Sequence, residues 1–208
     1  MIESKSPIKA PLLRYPAQSL DEEIESVIEK DVSDYLLFSM VIGLWVVLEW
    51  CRWLFDIVFH PVLLTIIFLA IVIFTLFKVQ KARRKLKSLR QGRDGERAVG
   101  QFLETLTDTE CRVFHDVVVD GFNIDHVMVS RRGVFAIETK TYSKPKKGRA
   151  VIKYVGDTLI INDVRETKDE LIQAKAAANW LKNFFKETLD RRFEVKPVLL
   201  FPGWYIEN

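Results

Sequence analysis

The sequence is poor in the residues that cross-link small folds or bind soft metals, with 2 cysteines and 3 histidines among its 208 residues. Cys51 lies in or near a long apolar segment and Cys111 in a segment of mixed polarity, so we do not expect them to form a disulfide. The histidines (His60, His115 and His126) are scattered rather than set at the short spacings of zinc ligands. Disulfide-stapled folds and zinc clusters are therefore excluded.

The chain also lacks internal repeats, low-complexity segments and an aromatic-rich platform on which bases could stack. We therefore expect neither a repeat architecture nor sequence-specific recognition of a nucleic acid. About thirty mostly polar residues precede the first apolar run, which argues against a cleaved signal peptide. The length allows one ordinary domain, or a smaller domain with an appendage.

Two long apolar runs form that appendage. They cover residues 35–59, interrupted by Glu49, Arg52 and Asp56, and residues 62–77, which carry no charge. A helix needs about 17 to 25 residues to cross a bilayer, and the second run reaches this with a charged residue at the interface. The helical spacing of the three charges in the first run allows them to pair near its outer end. The sequence thus predicts two transmembrane helices; the alternative is a buried helical hairpin in a soluble core.

A cluster of basic residues, the basic collar, follows the second run. It contains Lys78, Lys81, Arg83, Arg84, Lys85, Lys87, Arg90, Arg93 and Arg97, opposed by Asp94 and Glu96. By the positive-inside tendency, the collar and everything after it lie in the cytoplasm, and two spans return the N-terminus to the same side. We therefore expect an inner-membrane protein with both termini cytoplasmic, whose collar contacts the headgroups of anionic membrane lipids.

The rest of the chain divides around these helices. Residues 1–34 form a cytoplasmic arm, in which a capping box at Ser19 opens a short amphipathic helix that lies on the membrane or packs on the domain. Residues 35–79 form the two spans, residues 80–91 a basic juxtamembrane helix or linker, with the second helix running on to about Leu89, and residues 92–208 a soluble domain.

The soluble domain alternates helical and strand patterns, which predicts an α/β fold. The expected elements are a helical stripe at Val99, Phe102, Leu103 and Leu106, strands at 111–119, 122–130, 133–142, 151–155, 158–161 and 195–201, and a helix opened by a capping box at 167–170.

The second and third of these strands bring acids together. If Arg131 and Arg132 form a two-residue hairpin loop, Asp125 faces Glu138, and Lys140 shares the face of Glu138. A left-handed bulge at the following glycine would shift the pairing by one residue. We favour the unbulged register because it gathers the acids, although a Glu-x-Lys pair is also common on exposed strands. Opposed carboxylates destabilise a sheet, and a divalent cation would relieve their repulsion.

This arrangement suits hydrolysis of a phosphodiester, which needs a metal, an activated water and a nearby cation. We expect Asp125 and Glu138 to bind Mg²⁺ or Mn²⁺, the backbone carbonyl of Thr139 to complete the shell, and Lys140 to position the attacking water. Asp116 either faces Asp125 or, as we prefer, is a solvated acid. His126 is expected on the opposite face as a buried or supporting residue.

The same residues give the chain a recognisable resemblance. Gly95-Glu96 on a helix, Ile124-Asp125-His126-Val127, the run from Gly133 to Lys140, and Gln173-Ala174 on a later helix together resemble the nuclease-related domain (NERD) family of the PD-(D/E)xK superfamily. The resemblance implies a restriction-endonuclease-like mixed sheet flanked by helices. It also implies a catalytic core of Asp125, Glu138 and Lys140, with Glu96 assisting at the metal and Gln173 pointing at the site.

Taken together, the sequence predicts a membrane-anchored, Mg²⁺-dependent nuclease that acts on DNA. The nucleic acid would approach over a basic loop formed by Lys144, Lys146, Lys147 and Arg149. The alternative function is a membrane-tethered module that binds nucleic acid or protein without cleaving.

Overall fold

The computed structural model describes residues 14–55, 61–107, 110–119 and 121–208. These residues form two compact units: one is Leu20–Arg90, and the other combines the described residues up to Ser19 with Gln91–Asn208. The first unit is helical, and the second holds all the strands of the described chain. The predicted α/β fold with two preceding apolar helices is confirmed.

Three α-helices supply most of the described residues of the helical unit, and the last of them continues into the second unit. Helix α1 (Gln18–Ile28) continues through a π-helical turn (Glu29–Ser33) into α2 (Asp34–Leu54), and α3 (Pro61–Glu104) follows. The amphipathic pattern of α1 buries Ile24 and Val27 against Ala82 and Leu86 of α3. The apolar face of this helix therefore packs on the collar segment of α3.

Helix α2 and the first half of α3 expose most of their apolar side chains. Only 6% of the most apolar stretch of each of these two helices is buried. Polar groups join the two helices: the hydroxyls of Ser39 and Thr75 lie 2.7 Å apart, and the Trp50 indole donates to Thr65 Oγ1 at 2.9 Å. Exposure on this scale contradicts a buried hairpin of a soluble core. Both helices are long and apolar enough to cross a membrane. The predicted end of the first span, residues 56–59, lies outside the described residues.

The expected end of the second helix near Leu89 is wrong, because α3 continues to Glu104. Gly92, Gly95 and Gly100 lie inside this helix rather than in a linker. Glycine weakens a helix interior, but at two of these positions it permits close packing, with Gly95 against Thr141 and Gly100 against a proline. Gly95 and Gly100 therefore allow close contacts and do not interrupt the helix.

Within its described residues, the second unit contains eight strands and one further helix. In chain order these are β1 (Cys111–Val119), β2 (Phe122–Ser130), β3 (Gly133–Thr139), β4 (Val151–Val155), β5 (Thr158–Ile161), β6 (Arg165–Thr167), α4 (Asp169–Leu189), β7 (Val195–Leu200) and β8 (Tyr205–Glu207). The main sheet has the order β1-β2-β3-β7, and the smaller sheet β6-β5-β4-β8. Strand β3 ends three residues earlier than expected, and the short strands β6 and β8 were not predicted.

The main sheet is mixed, because β1, β2 and β3 pair antiparallel while β7 runs parallel to β3. Strand β3 is therefore central, with hydrogen bonds on both sides. One face packs on α4 through a cluster containing Ile124, Val127, Val134, Ala136, Ala177, Ala178 and Leu181. The other face packs on α3, where Val99 and Leu103 contact Ile137. Phe102 and Leu106, which we expected in the same stripe, are exposed.

Candidate active site

The hairpin of β2 and β3 has the unbulged register. Its pairs include Val127 with Ala136, Val129 with Val134, and Ser130 with Gly133. Gly133 has a φ of 121°, yet no extra residue enters the ladder. The ladder ends at His126 and Ile137, one step before Asp125 and Glu138. The two acids therefore lie where the strands begin to separate.

Each acid has its own partner at this end. Oδ2 of Asp125 accepts the backbone N–H of Thr139 at 2.6 Å, and Oε1 of Glu138 accepts from Lys140 Nζ at 2.7 Å. Glu138 is 2% exposed, and its Oε2 has no hydrogen-bond partner among the described residues. A buried carboxylate oxygen without a donor is unfavourable unless a cation or water meets it. This oxygen is the natural place for a cation.

Helix α3 carries a third carboxylate, Glu96, which is close enough to Asp125 and Glu138 to respond to their charges. Gly95 beside it is buried, and a Cβ at that position would overlap Thr141 Oγ1. Gln91, one turn earlier on α3, donates to the carbonyl of Thr141 at 3.4 Å. The absence of a side chain at Gly95 thus allows the helix to lie close to the segment that follows Lys140.

The acids influence one another electrostatically. Burial, and then the charge of Asp125, raise the pKa of Glu96 to about 8, with a further contribution from Glu138. Burial, and then the charge of Glu138, raise the pKa of Asp125 to about 7. Lys140 opposes both shifts. Carboxylates that repel one another in a buried site favour proton or cation binding.

The expectation that Asp116 is a solvated acid is wrong. It is 1% exposed, and its carboxylate accepts from Arg14 Nε at 2.6 Å and from the Ser19 N–H and hydroxyl at 3.0 and 2.6 Å. Asn123 Nδ2 is a further donor at 3.3 Å. Ser19, which we expected as the cap of its own helix, lies instead in the first turn of α1 and donates to Asp116. The N-terminal arm was not recognised from the sequence as part of the site's surroundings.

Strand β2 does not keep the regular two-residue alternation of a strand beside this acid. Ile124 belongs to the same α4-side cluster as Val127, although three positions separate them. The β1–β2 pairing is continuous except at Asp116 and Asp125, and Asp116 has a left-handed φ of 48°. Regular alternation would place Ile124 and Val127 on opposite faces, and it is lost here because the strand pair is distorted at Asp125.

His126 is completely buried, as expected of a supporting residue. Its Nδ1 lies 2.8 Å from His115 Nδ1, and His115 Nε2 lies 2.6 Å from Glu104 Oε1. Burial, followed by the charge of His115, lowers the pKa of His126 to about 4. The lowered pKa favours a neutral imidazole, which lies on the α3 side of the sheet, where a Cβ at Gly100 would come within 3.5 Å of its Cε1.

The structure leaves Gln173 exposed in the first half of α4, next to buried Ala174. The same helix carries a buried acid that sequence reasoning missed, Glu170, which accepts from the hydroxyls of Tyr142 and Thr167. The capping-box pattern was the available signal for it. Glu170 ties the start of α4 to the segment that leaves β3.

The basic loop comes a few residues after β3, the strand that carries Glu138 and ends one residue before Lys140. Its four cationic residues, Lys144, Lys146, Lys147 and Arg149, are all exposed. The loop therefore places exposed positive charge a few residues after Glu138 and Lys140 in the chain.

The donor set can be tested against the expected metal. Among the described residues, no group of three or more His, Cys, Asp or Glu side chains is gathered closely enough to hold a metal ion. A cation would therefore bind two carboxylates, those of Asp125 and Glu138, together with the Thr139 carbonyl and water. Mg²⁺ suits such a site because it is held by one or two carboxylates and retains several waters. The unpartnered Glu138 Oε2 fits this use.

Comparison with known proteins supports the motif-based assignment. A family model described as the nuclease-related domain (NERD) matches residues 91–202, which is more than half of the chain. The match includes Glu96, Asp125, Glu138, Lys140 and Gln173. No curated protein and no solved structure matches the chain.

Proposed function

Because the chain belongs to the nuclease-related domain family, we propose that it is a membrane-anchored, metal-dependent nuclease that hydrolyses phosphodiester bonds of DNA on the cytoplasmic side of the membrane. The observation that carries the proposal is the group formed by Asp125, Glu138 and Lys140 at the end of the hairpin. The carboxylates of Asp125 and Glu138 and the ammonium group of Lys140 lie where the strands separate. One buried oxygen of Glu138 has no hydrogen-bond partner among the described residues.

Each residue has a role that follows from its position. Asp125 and Glu138 supply carboxylate oxygens for the cation, and the Thr139 carbonyl adds another ligand. Bound Mg²⁺ or Mn²⁺ would neutralise phosphate charge and acidify a water molecule. Lys140, now paired with Glu138 at 2.7 Å, holds a positive charge beside the reacting phosphate and orients the water. Glu96 assists at the metal from α3.

The exposed basic loop supports a polynucleotide substrate. Phosphate contacts from Lys144, Lys146, Lys147 and Arg149 would be independent of base sequence and would weaken with salt. DNA is the substrate we propose, with RNA as the comparison in the experiment. The expected signature is cleavage that falls steeply as the salt concentration rises.

The helical unit supports membrane anchoring. Its two apolar helices meet the length that a bilayer requires, and the collar residues Lys81, Arg83, Arg84, Lys87 and Arg90 are exposed for contact with anionic headgroups. The charge of the collar favours a cytoplasmic site with both termini on that side of the inner membrane. A reporter fused after Asn208 should be active in the cytoplasm, and activity outside it would overturn this topology.

The main experiment measures cleavage by the full chain in detergent. Plasmid DNA, linear DNA and RNA are incubated with Mg²⁺, Mn²⁺ or a chelator, alongside Asp125→Ala and Lys140→Ala. Arg132→Ala, an exposed arginine in the hairpin turn, serves as the matched control. We expect metal-dependent cleavage of DNA that both site variants reduce by roughly a hundredfold or more. Equal cleavage by the variants and the control would overturn the assignment.

One observation favours a second candidate, a non-cleaving binding module: no ready-made group of three metal-ligating side chains is found in the described residues. This candidate predicts salt-sensitive DNA binding without cleavage under any metal. It also predicts no thermal stabilisation by millimolar metal, whereas the nuclease should show a stabilisation that Asp125→Ala removes.

A further inference from the structure

Residues 14–19, the N-terminal strap, pack on the same unit as the candidate site. Arg14 and Asp116 are 102 positions apart in sequence, yet the guanidinium Nε lies 2.6 Å from the carboxylate. Ser19 adds its N–H and hydroxyl to the same carboxylate. Arg14 and Ser19 of the strap thus donate three hydrogen bonds to this buried acid, and Asn123 donates another.

The strap also contacts α3. The Tyr15 ring lies 5.8 Å from the guanidinium carbon of Arg97, and a Cβ on Gly100 would come within 2.5 Å of Pro16 Cγ. These contacts begin at the residue directly after Glu96. The strap therefore touches both elements next to the acids, β1 opposite Asp125 and α3 beside Glu96.

Two backbone positions in these contacts are strained. Ala17 is completely buried with a φ of 61°, and Asp116 has a φ of 48°. The left-handed region is unfavourable for residues other than glycine, although less so for aspartate than for alanine, and such conformations persist where the surroundings fix them. Around Asp116, the hydrogen-bond donors to its carboxylate are Arg14, Ser19 and Asn123.

The strained residue lies opposite Asp125. The β1–β2 ladder pairs His115 with His126 and Val117 with Ile124, and it omits the position between them. At that position β2 loses its alternation, and Asp125 Oδ2 reaches the N–H of Thr139 on the neighbouring strand. The distortion of β1 and the orientation of Asp125 thus coincide.

We propose that the strap positions the candidate metal site: Arg14 and Ser19 hold Asp116 in its left-handed conformation, and this conformation turns Asp125 towards Thr139. Arg14 is a positioning residue, because it would act through Asp116, the acid that it contacts. The proposal rests on the metal site described above. One consequence is that a soluble fragment starting at Gly92 lacks the strap and leaves Asp116 buried without its cationic partner.

The experiment compares full-length Arg14→Ala, Arg14→Lys and Ser19→Ala, with Arg132→Ala as the control. Binding of Mn²⁺ is measured by titration, and amide hydrogen exchange is measured without metal. We expect Arg14→Ala to bind Mn²⁺ about tenfold more weakly, as for other residues that orient metal ligands. Arg14→Lys should recover part of the loss, because it keeps the charge. Exchange should rise in the peptides that contain Asp116 and Asp125.

The readouts separate positioning from folding. If Arg14→Ala does not fold, Ser19→Ala, which removes one hydroxyl donor, must show the same two effects to a smaller degree. Unchanged Mn²⁺ affinity in a folded variant, with faster exchange confined to the strap, would overturn the proposal. If the wild-type chain binds no Mn²⁺, the proposed metal site is wrong. Amide hydrogen exchange in the peptide that contains Asp125 then decides by itself whether the strap controls the position of this acid.

Discussion

The strand-borne and helix-borne members of the candidate site are held in different ways. Asp125, Glu138 and Lys140 lie on one hairpin, where they bond to one another or to the adjacent backbone. Glu96 reaches the group through the close approach of α3, and Gln173 lies exposed on α4. The comparison teaches that the hairpin supplies the immediate hydrogen-bond partners of its own acids, whereas the helical members depend on packing between distant segments.

The largest effect should come from the strand side. Glu138→Gln removes the charge that Lys140 pairs with and that a cation needs, while the volume is retained. We expect metal-dependent cleavage to fall by roughly a hundredfold or more, because a site with two carboxylates loses one. Initial rates on DNA and Mn²⁺ titration of the same samples measure the change.

Glu166→Gln is the matched control, since Glu166 is exposed on β6. It should leave both rate and metal affinity unchanged. If Glu138→Gln cleaves as well as this control, the hairpin acids do not form the catalytic group, and the distinction between strand and helix members loses its basis.

The next effect tests the packing of α3. Gly95→Ala places a Cβ against Thr141, whose Oγ1 and Cβ are both too close to accommodate it. Overpacking of this kind costs about 1–3 kcal/mol, which outweighs the gain of about 1 kcal/mol from replacing glycine inside a helix. We expect the free energy of unfolding of the second unit to fall and cleavage to weaken, because Glu96 moves with the helix. Chemical denaturation and initial rates measure both.

A second substitution makes this prediction specific. Thr141→Ala removes Oγ1 and the methyl group, so the double variant should recover part of the stability that Gly95→Ala loses. A Gly95→Ala protein that is more stable than the wild type would mean that helix propensity dominates and that the contact with Thr141 does not hold Glu96 in place.

The same comparison explains what the sequence could predict. The register of β2 and β3 was readable because Val127, Val129, Val134 and Ala136 must share one buried face. The continuity of α3 was not readable, since its glycines look like a linker until Gly95 and Gly100 are seen in their contacts. The role of Asp116 was hidden for a similar reason: its partners Arg14 and Ser19 lie about a hundred positions away, where no local periodicity can reveal them.

The third effect is a pH dependence that involves one strand acid and one helix acid. The pKa of Asp125 rises from 3.8 to about 7 and that of Glu96 from 4.5 to about 8 in the folded protein. The folded state therefore holds these protons more tightly than the unfolded state. These two groups should stabilise the metal-free protein most at and below about pH 4. Their contribution should be lost as pH rises to about 8.

Thermal unfolding with and without metal measures this behaviour. Without metal, the transition temperature should fall between about pH 5 and pH 8, while stabilisation by added Mg²⁺ should grow over the same range, because the metal needs ionised carboxylates. Glu96→Gln should flatten the upper part of the metal-free curve. If the transition temperature of the metal-free wild type does not change over this pH range, the acids do not repel one another as their burial indicates.

The smallest effect should come from Gln173, the most exposed member. Gln173→Ala should change the free energy of unfolding by no more than about 0.5 kcal/mol, as is usual for surface positions. We expect cleavage to fall by no more than about tenfold, less than for Glu138→Gln. Asn179→Ala, exposed on the same helix, is the matched control for both measurements. If Gln173→Ala instead lowers cleavage as much as Glu138→Gln at unchanged stability, α4 must approach the hairpin when DNA and metal bind, and the helix side would then be as decisive as the strand side.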